Sequence, residues 1–109
     1  MKTYEVLFNK ECDTYNTKNP EYNMMFLRHT EVLFNDLLRK RGHIFLRDII
    51  EGMGIKPTRD MLLAGWVWKE QCQYIRQIEF EVFAQENGIK IIFLNVEDNI
   101  SYAFEEGES

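Results

Sequence analysis

The chain has 109 residues, of which 45% are apolar and 28% are charged. A chain of this length and apolar content can bury the core of one globular domain without metal or disulfide crosslinks, so we expect a single domain over residues 1–109. The formal net charge of -5 argues against broad electrostatic binding to nucleic acid or to an anionic membrane, because both need clustered positive charge.

The cysteines and the N-terminus bear on the cellular compartment. Cys12 and Cys72 are far apart, with no CxxC pattern and no histidine at zinc-ligand spacing. Free thiols in a reducing cytoplasm are therefore favoured over a disulfide. The N-terminus lacks a continuous apolar run of signal-peptide length, and no later run is long enough to span a bilayer. We expect a cytoplasmic protein.

Residues 1–19 predict a strand followed by a loop. Tyr4, Val6 and Phe8 share one face if the chain is extended, which favours an edge strand. Residues 10–19 have no hydrophobic period and are rich in Asn, Thr and Asp, which is typical of a surface loop. This loop is the only candidate linker in the chain.

A long amphipathic helix is predicted from Pro20 to Arg41. Asn19 can cap its start and Gly42 can close its end. At about 100° per residue, an apolar arc is expected to face the core, formed by Tyr22, Phe26, Leu27, Thr30, Leu33, Phe34, Leu37 and Leu38. The opposite, polar side carries Arg28, Glu31, Asn35, Asp36 and Arg39. Residues 39–41 are basic and lie at the negative end of the helix dipole, so a structural role is favoured over phosphate binding.

Met25 and Val32 lie seven residues apart on the polar side of this helix. Cover by the N-terminal strand or by the C-terminal segment is favoured, since single exposed apolar residues are common. The alternative is a partner-binding face made of Met25, Arg28, His29, Val32 and Asp36. A catalytic pair of His29 and Asp36 is disfavoured, because residues seven apart face each other only loosely.

Two short helical segments are predicted after Gly42. The first ends at Gly52 and Gly54, and the second is capped by Thr58 and runs through residues 61–63. Together they have the shape of a helix-turn-helix unit over residues 46–63, in which Lys56 and Arg59 would contact DNA. A compact helical hairpin packed on the long helix is favoured, because the second segment is short, apolar and acidic. Trp66, Phe34 and Leu37 are expected in the core.

Residues 74–104 predict an antiparallel meander, followed by an acidic tail over residues 105–109. Ile78, Phe80 and Val82 alternate with Glu79 and Glu81, and Asn87-Gly88 suits a tight turn. Residues 89–96 are apolar on both faces, which is typical of a central strand, and residues 100–104 are predicted as a third strand. Glu79 and Glu81 suit the solvated side of a sheet better than a paired-carboxylate site.

Several packing and turn motifs resemble those of a family of small uncharacterised proteins from Firmicutes and from their phages and mobile elements. The likeness covers about Tyr22 to Ile100. The motifs that carry it are Arg41-Gly42-His43-Ile44-Phe45-Leu46, Gly52-Met53-Gly54-Ile55, Gly65-Trp66-Val67 and Ile91-Ile92-Phe93-Leu94-Asn95-Val96. The resemblance implies a genomic setting and supplies no reaction, ligand or catalytic residue.

No glycine-rich phosphate loop, HExxH or GxSxG motif occurs in the sequence, so no catalytic residue, metal site or cofactor is predicted. We expect an α+β domain in which residues 20–68 form one long helix and a helical hairpin, packed on a small antiparallel β-meander. The expected function is that of a non-enzymatic protein-interaction factor of a phage or mobile element, in an accessory, assembly or inhibitory anti-defence role. A DNA-binding regulator acting through residues 46–63 is the alternative, and a small-molecule enzyme is the weakest reading.

The expected partner is another protein, while binding to nucleic acid is disfavoured and no membrane contact is expected. Sheet edges carry unpaired backbone groups that proteins either cover or use for pairing. If residues 4–8 cover the edge of the third predicted strand, we expect a monomer. If they do not, we expect a homodimer through that edge.

Overall fold

The computed structural model describes residues 2–68 and 77–101, and the fold is of the α+β class. In chain order the elements are β1 (Lys2–Phe8), α1 (Pro20–Arg41), β2 (His43–Phe45), α2 (Leu46–Gly52), a 3-10 turn (Arg59–Met61), β3 (Gly65–Val67), β4 (Glu79–Gln85) and β5 (Gly88–Val96). A three-stranded antiparallel sheet has the order β1-β5-β4, and β2 and β3 form a separate antiparallel ribbon.

Helix α1 begins and ends where the sequence predicts. The Asn19 Oδ1 accepts a hydrogen bond from the Tyr22 N–H at 3.1 Å, and Pro20 occupies the first turn. Gly42 has a φ of 85° and its N–H donates to the Leu38 carbonyl at 2.9 Å. A left-handed glycine of this kind closes many helices, because it adds no Cβ strain.

The buried face of α1 is rotated from the predicted arc. Leu27 and Leu38 are fully buried, but Tyr22 and Leu33 are 47% and 46% exposed, so their assignment to the core is wrong. Asn23 is buried instead, and its amide accepts from the Asn16 N–H and donates to the Asn16 carbonyl, both at 2.8 Å. A polar residue buried by such specific bonds leaves no trace in a hydrophobic pattern.

Residues 9–19 form a loop, as predicted, and this loop packs against the two helices. The Thr14 hydroxyl donates to the Met53 carbonyl at 2.6 Å, at the end of α2. Cys12 is a buried free thiol, as predicted. Cys72 lies outside the described residues. These contacts tie the loop to α1 through Asn23 and to α2 through Met53.

Residues 20–68, predicted to be helical, also contain the β2-β3 ribbon, which was not predicted. Strands β2 and β3 pair through Ile44 and Trp66, and Gly65 continues the pairing to Glu97 with two backbone bonds of 2.9 and 3.0 Å. The predicted second helix is a single 3-10 turn. The Thr58 hydroxyl donates to the Asp60 carboxylate instead of capping that turn.

In the three-stranded sheet, β5 is central, as predicted, but the predicted meander is wrong in one strand. The second neighbour of β5 is the N-terminal strand β1, in place of residues 100–104. Ile100 belongs to no strand and Ser101 is helical. Residues 74–76, residues 102–104 and the acidic tail lie outside the described residues.

The core lies between α1, α2, the ribbon and the inner face of the sheet. Trp66 is 1% exposed, as predicted, and its ring lies 6.1 Å from the ring of Phe93 on β5. Phe34 and Leu37 are partly buried against this core and are not fully enclosed. The aromatic and aliphatic side chains of both sheets therefore meet in one cluster.

Two polar side chains of α1 seal the start of the free edge of β4. The Asn35 amide accepts from the Ile78 N–H at 2.7 Å and donates to the Ile78 carbonyl at 3.0 Å, and Glu31 accepts from the Phe80 N–H at 3.4 Å. Asn35 thereby makes the pair of bonds that a neighbouring strand would make. Both residues were predicted to face solvent. Covering an edge in this way blocks strand addition at Ile78.

Replacing Asn35 with leucine is expected to lower the free energy of unfolding by about 2 kcal/mol. The change removes two hydrogen bonds from a partly buried backbone segment, at about 1 kcal/mol each. Chemical denaturation of the purified variant measures this loss. Glu31→Gln is the matched control, because a glutamine can still accept from the Phe80 N–H. Equal stability of the wild type and Asn35→Leu would show that the seal contributes nothing.

Candidate functional site

Helix α1 carries five exposed apolar residues: Tyr22, Met24, Met25, Val32 and Leu33. We call four of them, Tyr22, Met25, Val32 and Leu33, the outer stripe; Met24 lies on another side of the helix. Met25 and Val32 are 70% and 68% exposed, and β1 does not cover them because it pairs with β5. The C-terminal segment, the other predicted cover, lies outside the described residues. Tyr22, Met25, His29 and Val32 are spaced by three, four and three residues, and Leu33 lies three turns after Tyr22, so the stripe and His29 share one helix face. Scattered apolar residues are normal on a surface, but four on one face form a patch.

The charged residues of the predicted partner face are paired within α1. The Arg28 guanidinium lies 3.2 Å from the Glu31 carboxylate, and the Lys40 ammonium lies 2.9 Å from the Asp36 carboxylate. Arg28 also lies 5.7 Å from the ring of Phe80. Asp36 is thus paired with Lys40, and His29 is exposed two helical turns before Asp36. A partner protein that buries the outer stripe would therefore leave both ion pairs intact.

The residues proposed for DNA contact are not carried by a helix-turn-helix. Lys56 and Arg59 are exposed, but the second helix that would enter a groove is reduced to the turn Arg59–Met61. α2 has seven residues, and Leu46, Ile49 and Ile50 on it are buried. The shape that suggested DNA binding is therefore missing from residues 46–63.

The outer face of the three-stranded sheet was not recognised from the sequence. The strand register places Glu5 and Glu81 on either side of Ile92, Glu79 beside Leu94, and Leu7 and Phe83 on either side of Lys90, all on the face opposite the core residues. Leu7, Ile92 and Leu94 are partly exposed and lie outside the core cluster. Glu79 and Glu81 are exposed, as predicted for the solvated side.

Charge on this outer sheet face is mostly negative. The Lys90 ammonium lies 2.6 Å from the Glu5 carboxylate. Glu79 and Glu81 form no ion pair with any residue in the described part of the chain. This face could have been recognised in the sequence from the apolar residues on both faces of β5 and from Glu5, Glu79 and Glu81 in the two strands beside it.

The described part of the surface carries open clefts lined by both polar and apolar atoms. One of ≈ 350 Å³ lies between the 9–17 loop and the β4-β5 turn, where Lys10 and Glu86 are its charged lining residues. Within residues 2–68 and 77–101, no three His, Cys, Asp or Glu side chains converge to hold a metal ion. Neither helix of that same part of the chain combines the length and the apolarity needed to cross a membrane.

Comparison with known proteins gives one family. A family described as "Family of unknown function (DUF6353)" matches residues 2–104, which is nearly the whole chain. Searches of curated proteins and of solved structures returned no match.

Proposed function

We propose that this chain, which belongs to the family of unknown function DUF6353, is a non-enzymatic factor that acts by binding another protein. The observation that carries the proposal is the outer stripe on α1. Its two most exposed members, Met25 and Val32, are 70% and 68% exposed. Exposure of these apolar side chains to water is unfavourable, and a partner that covers them gains the free energy of burying them.

The geometry of the stripe favours a groove on the partner. From Tyr22 to Leu33 the helix advances about 16 Å, which is three turns of straight helix. Apolar anchors spaced by three and four residues along one helix are the pattern by which a helix docks into a hydrophobic groove. His29 in the middle of the stripe supplies a polar contact that fixes the register of docking.

The surrounding charges suit the same mode of binding. Arg28 and Asp36, which flank the stripe, are already paired with Glu31 and Lys40. An apolar groove can therefore approach without leaving either charge unpaired, which would oppose binding. The partner needs no matching charge pattern at these positions.

A phage or mobile-element setting, with an accessory, assembly or anti-defence role, belongs to the proposal and is supported by the sequence resemblance described above. The non-enzymatic reading is supported by the sequence, which has no motif for a nucleophile or a phosphate loop. We place the protein in the cytoplasm because its two widely spaced cysteines suit a reducing compartment.

The test is co-purification from the native host cells, followed by reconstitution with the purified partner. Met25→Glu combined with Val32→Glu places two charges in the stripe, and we expect it to weaken partner binding by at least about tenfold, or about 1.4 kcal/mol. Both side chains are mostly exposed, so the fold should be retained.

Leu62→Glu combined with Leu63→Glu is the matched control. These two leucines are also exposed, at 38% and 46%, and they lie away from α1 beside the 3-10 turn. The proposal predicts that this control keeps its partner. Binding that survives the α1 variant, or that both variants lose equally, would contradict it.

A further inference from the structure

The outer sheet face presents two acidic margins on either side of an apolar column. Ile92 and Leu94 of the central strand form the column. Glu5 lies on the β1 side, where it is paired with Lys90, and Glu79 and Glu81, unpaired within the described part of the chain, lie on the β4 side. Neighbouring strands are about 4.8 Å apart, so the two margins are separated by about 10 Å.

That separation matches the diameter of an α-helix, which is about 10 Å with its side chains. A helix laid along β5 would place its apolar stripe on Ile92 and Leu94. Its two flanks would then stand over Glu5 on one side and over Glu79 and Glu81 on the other. A sheet covered by helices on both faces is a standard layered arrangement, and α1 already occupies the inner side.

The charges decide what kind of helix fits. Glu79 and Glu81 lie on the same face about 7 Å apart, and neither is paired with a described residue. Glutamates on the flanks of an incoming helix would be repelled, whereas lysines or arginines would be attracted. A second copy of the chain is disfavoured at this face, because the unpaired Glu79 and Glu81 of one copy would oppose those of the other.

Strand addition at the adjacent edge is a poorer mode of binding. Asn35 already occupies both backbone groups of Ile78, and Glu31 accepts from the Phe80 N–H. A partner strand would have to displace these bonds before it could pair along β4. The face of the sheet beside Ile78 and Phe80 is therefore more open to a partner than this part of its edge.

We propose that the outer sheet face binds a basic amphipathic helix of another protein, with apolar residues seated on Ile92 and Leu94 and with Lys or Arg paired to Glu79 and Glu81. This surface is distinct from the outer stripe of α1. The inference is independent of the function proposed above, and with that function it makes the protein a connector of two partners.

The probe for this site is a synthetic helical peptide of about 18 residues, five turns long, with leucines on one face and lysines on the rest. Calorimetry with the full chain is expected to show saturable one-to-one binding that weakens as salt is added. The same peptide with glutamates in place of the lysines is expected not to bind. Amide exchange is expected to slow in β5 when the lysine peptide is bound.

Glu79→Lys combined with Glu81→Lys is expected to weaken peptide binding by at least about tenfold, since attraction becomes repulsion at two positions. Glu11→Lys combined with Glu51→Lys makes the same change in net charge at exposed positions elsewhere, and it should bind nearly as well as the wild type. Ile92→Ser tests the apolar column and should also weaken binding, with circular dichroism confirming that each variant is folded.

Equal loss in the two double-lysine variants would overturn the inference, because it would mean that only net charge attracts the peptide. Absence of saturable binding to the wild type would also overturn it. The variant with Met25→Glu and Val32→Glu should bind the peptide normally. That result separates failure at the sheet face from failure of the function proposed for α1.

Discussion

Replacing Trp66 with alanine is expected to lower the free energy of unfolding by about 3–5 kcal/mol, the range observed for large aromatic residues removed from cores. Trp66 is 1% exposed and belongs to the core cluster that joins the ribbon to the sheet. Its ring approaches Phe93 at 6.1 Å between centroids, and its strand partner is Ile44. The loss is measured by urea denaturation followed by circular dichroism.

Trp66→Phe is the control for that experiment. The indole Nε1–H of Trp66 is buried and has no hydrogen-bond partner in the described part of the chain. Phenylalanine removes this unsatisfied donor while it keeps most of the apolar volume, so its loss should be clearly smaller. A loss below about 1 kcal/mol for Trp66→Ala would show that the ribbon is not packed on the sheet as described.

Replacing Gly65 with alanine is expected to destabilise the fold at or above the range of about 1–3 kcal/mol that is typical of overpacked cores. A Cβ on Gly65 would lie 2.2 Å from the Ile44 carbonyl oxygen and 2.7 Å from the Ile100 Cδ1. The first of these atoms belongs to the paired strand, so it cannot move without separating β2 from β3. The pairing of Gly65 with Glu97 would be disturbed by the same shift.

Gly52→Ala is the matched control for Gly65→Ala. A Cβ on Gly52 would meet only the Phe34 ring carbons at 3.8 Å, which is an ordinary contact. Gly52 is the last residue of α2, and alanine in a helix is favoured over glycine by up to about 1 kcal/mol. The two substitutions are therefore expected to change the free energy of unfolding in different directions. A stable Gly65→Ala protein would contradict the close approach of the two strands.

The elements that were predictable from sequence are those with local signals. Asn19, Pro20 and Gly42 mark the ends of α1 by rules that need only a few neighbouring residues. The two-sided apolar run of residues 89–96 is typical of a central strand, and β5 is central in the sheet.

The parts that were missed depend on contacts between distant residues. Each strand of the ribbon is three residues long, too short for a period, and its pairing is set by the close approach at Gly65. The orientation of α1 is set by Asn23 and Asn35, whose partners are backbone groups of the loop and of the start of β4. A hydrophobic pattern assigns both asparagines to the solvent-facing side. The buried face of α1 predicted from that pattern is therefore rotated from the observed one.

The candidate site was predictable only in part for the same reason. Met25 and Val32 were recognised as apolar residues on a polar side, but their exposure depended on where β1 went. β1 pairs with β5, which leaves α1 uncovered on its outward side. The acidic margins of the sheet could not be recognised until the register placed Glu5 and Glu81 beside the same residue, Ile92.

The position of β1 also bears on how the protein folds as it is made. β1 is the first strand of the described residues, and its partner β5 is the last strand among them. Their pairing must close a loop that contains almost every other element, which raises the contact order and slows folding. Until β5 has been synthesised, the Tyr4 and Phe8 side chains have no sheet to join, and apolar segments exposed in this way promote aggregation. Helix α1 and its capped ends can form early, whereas completion of the sheet must wait for β5.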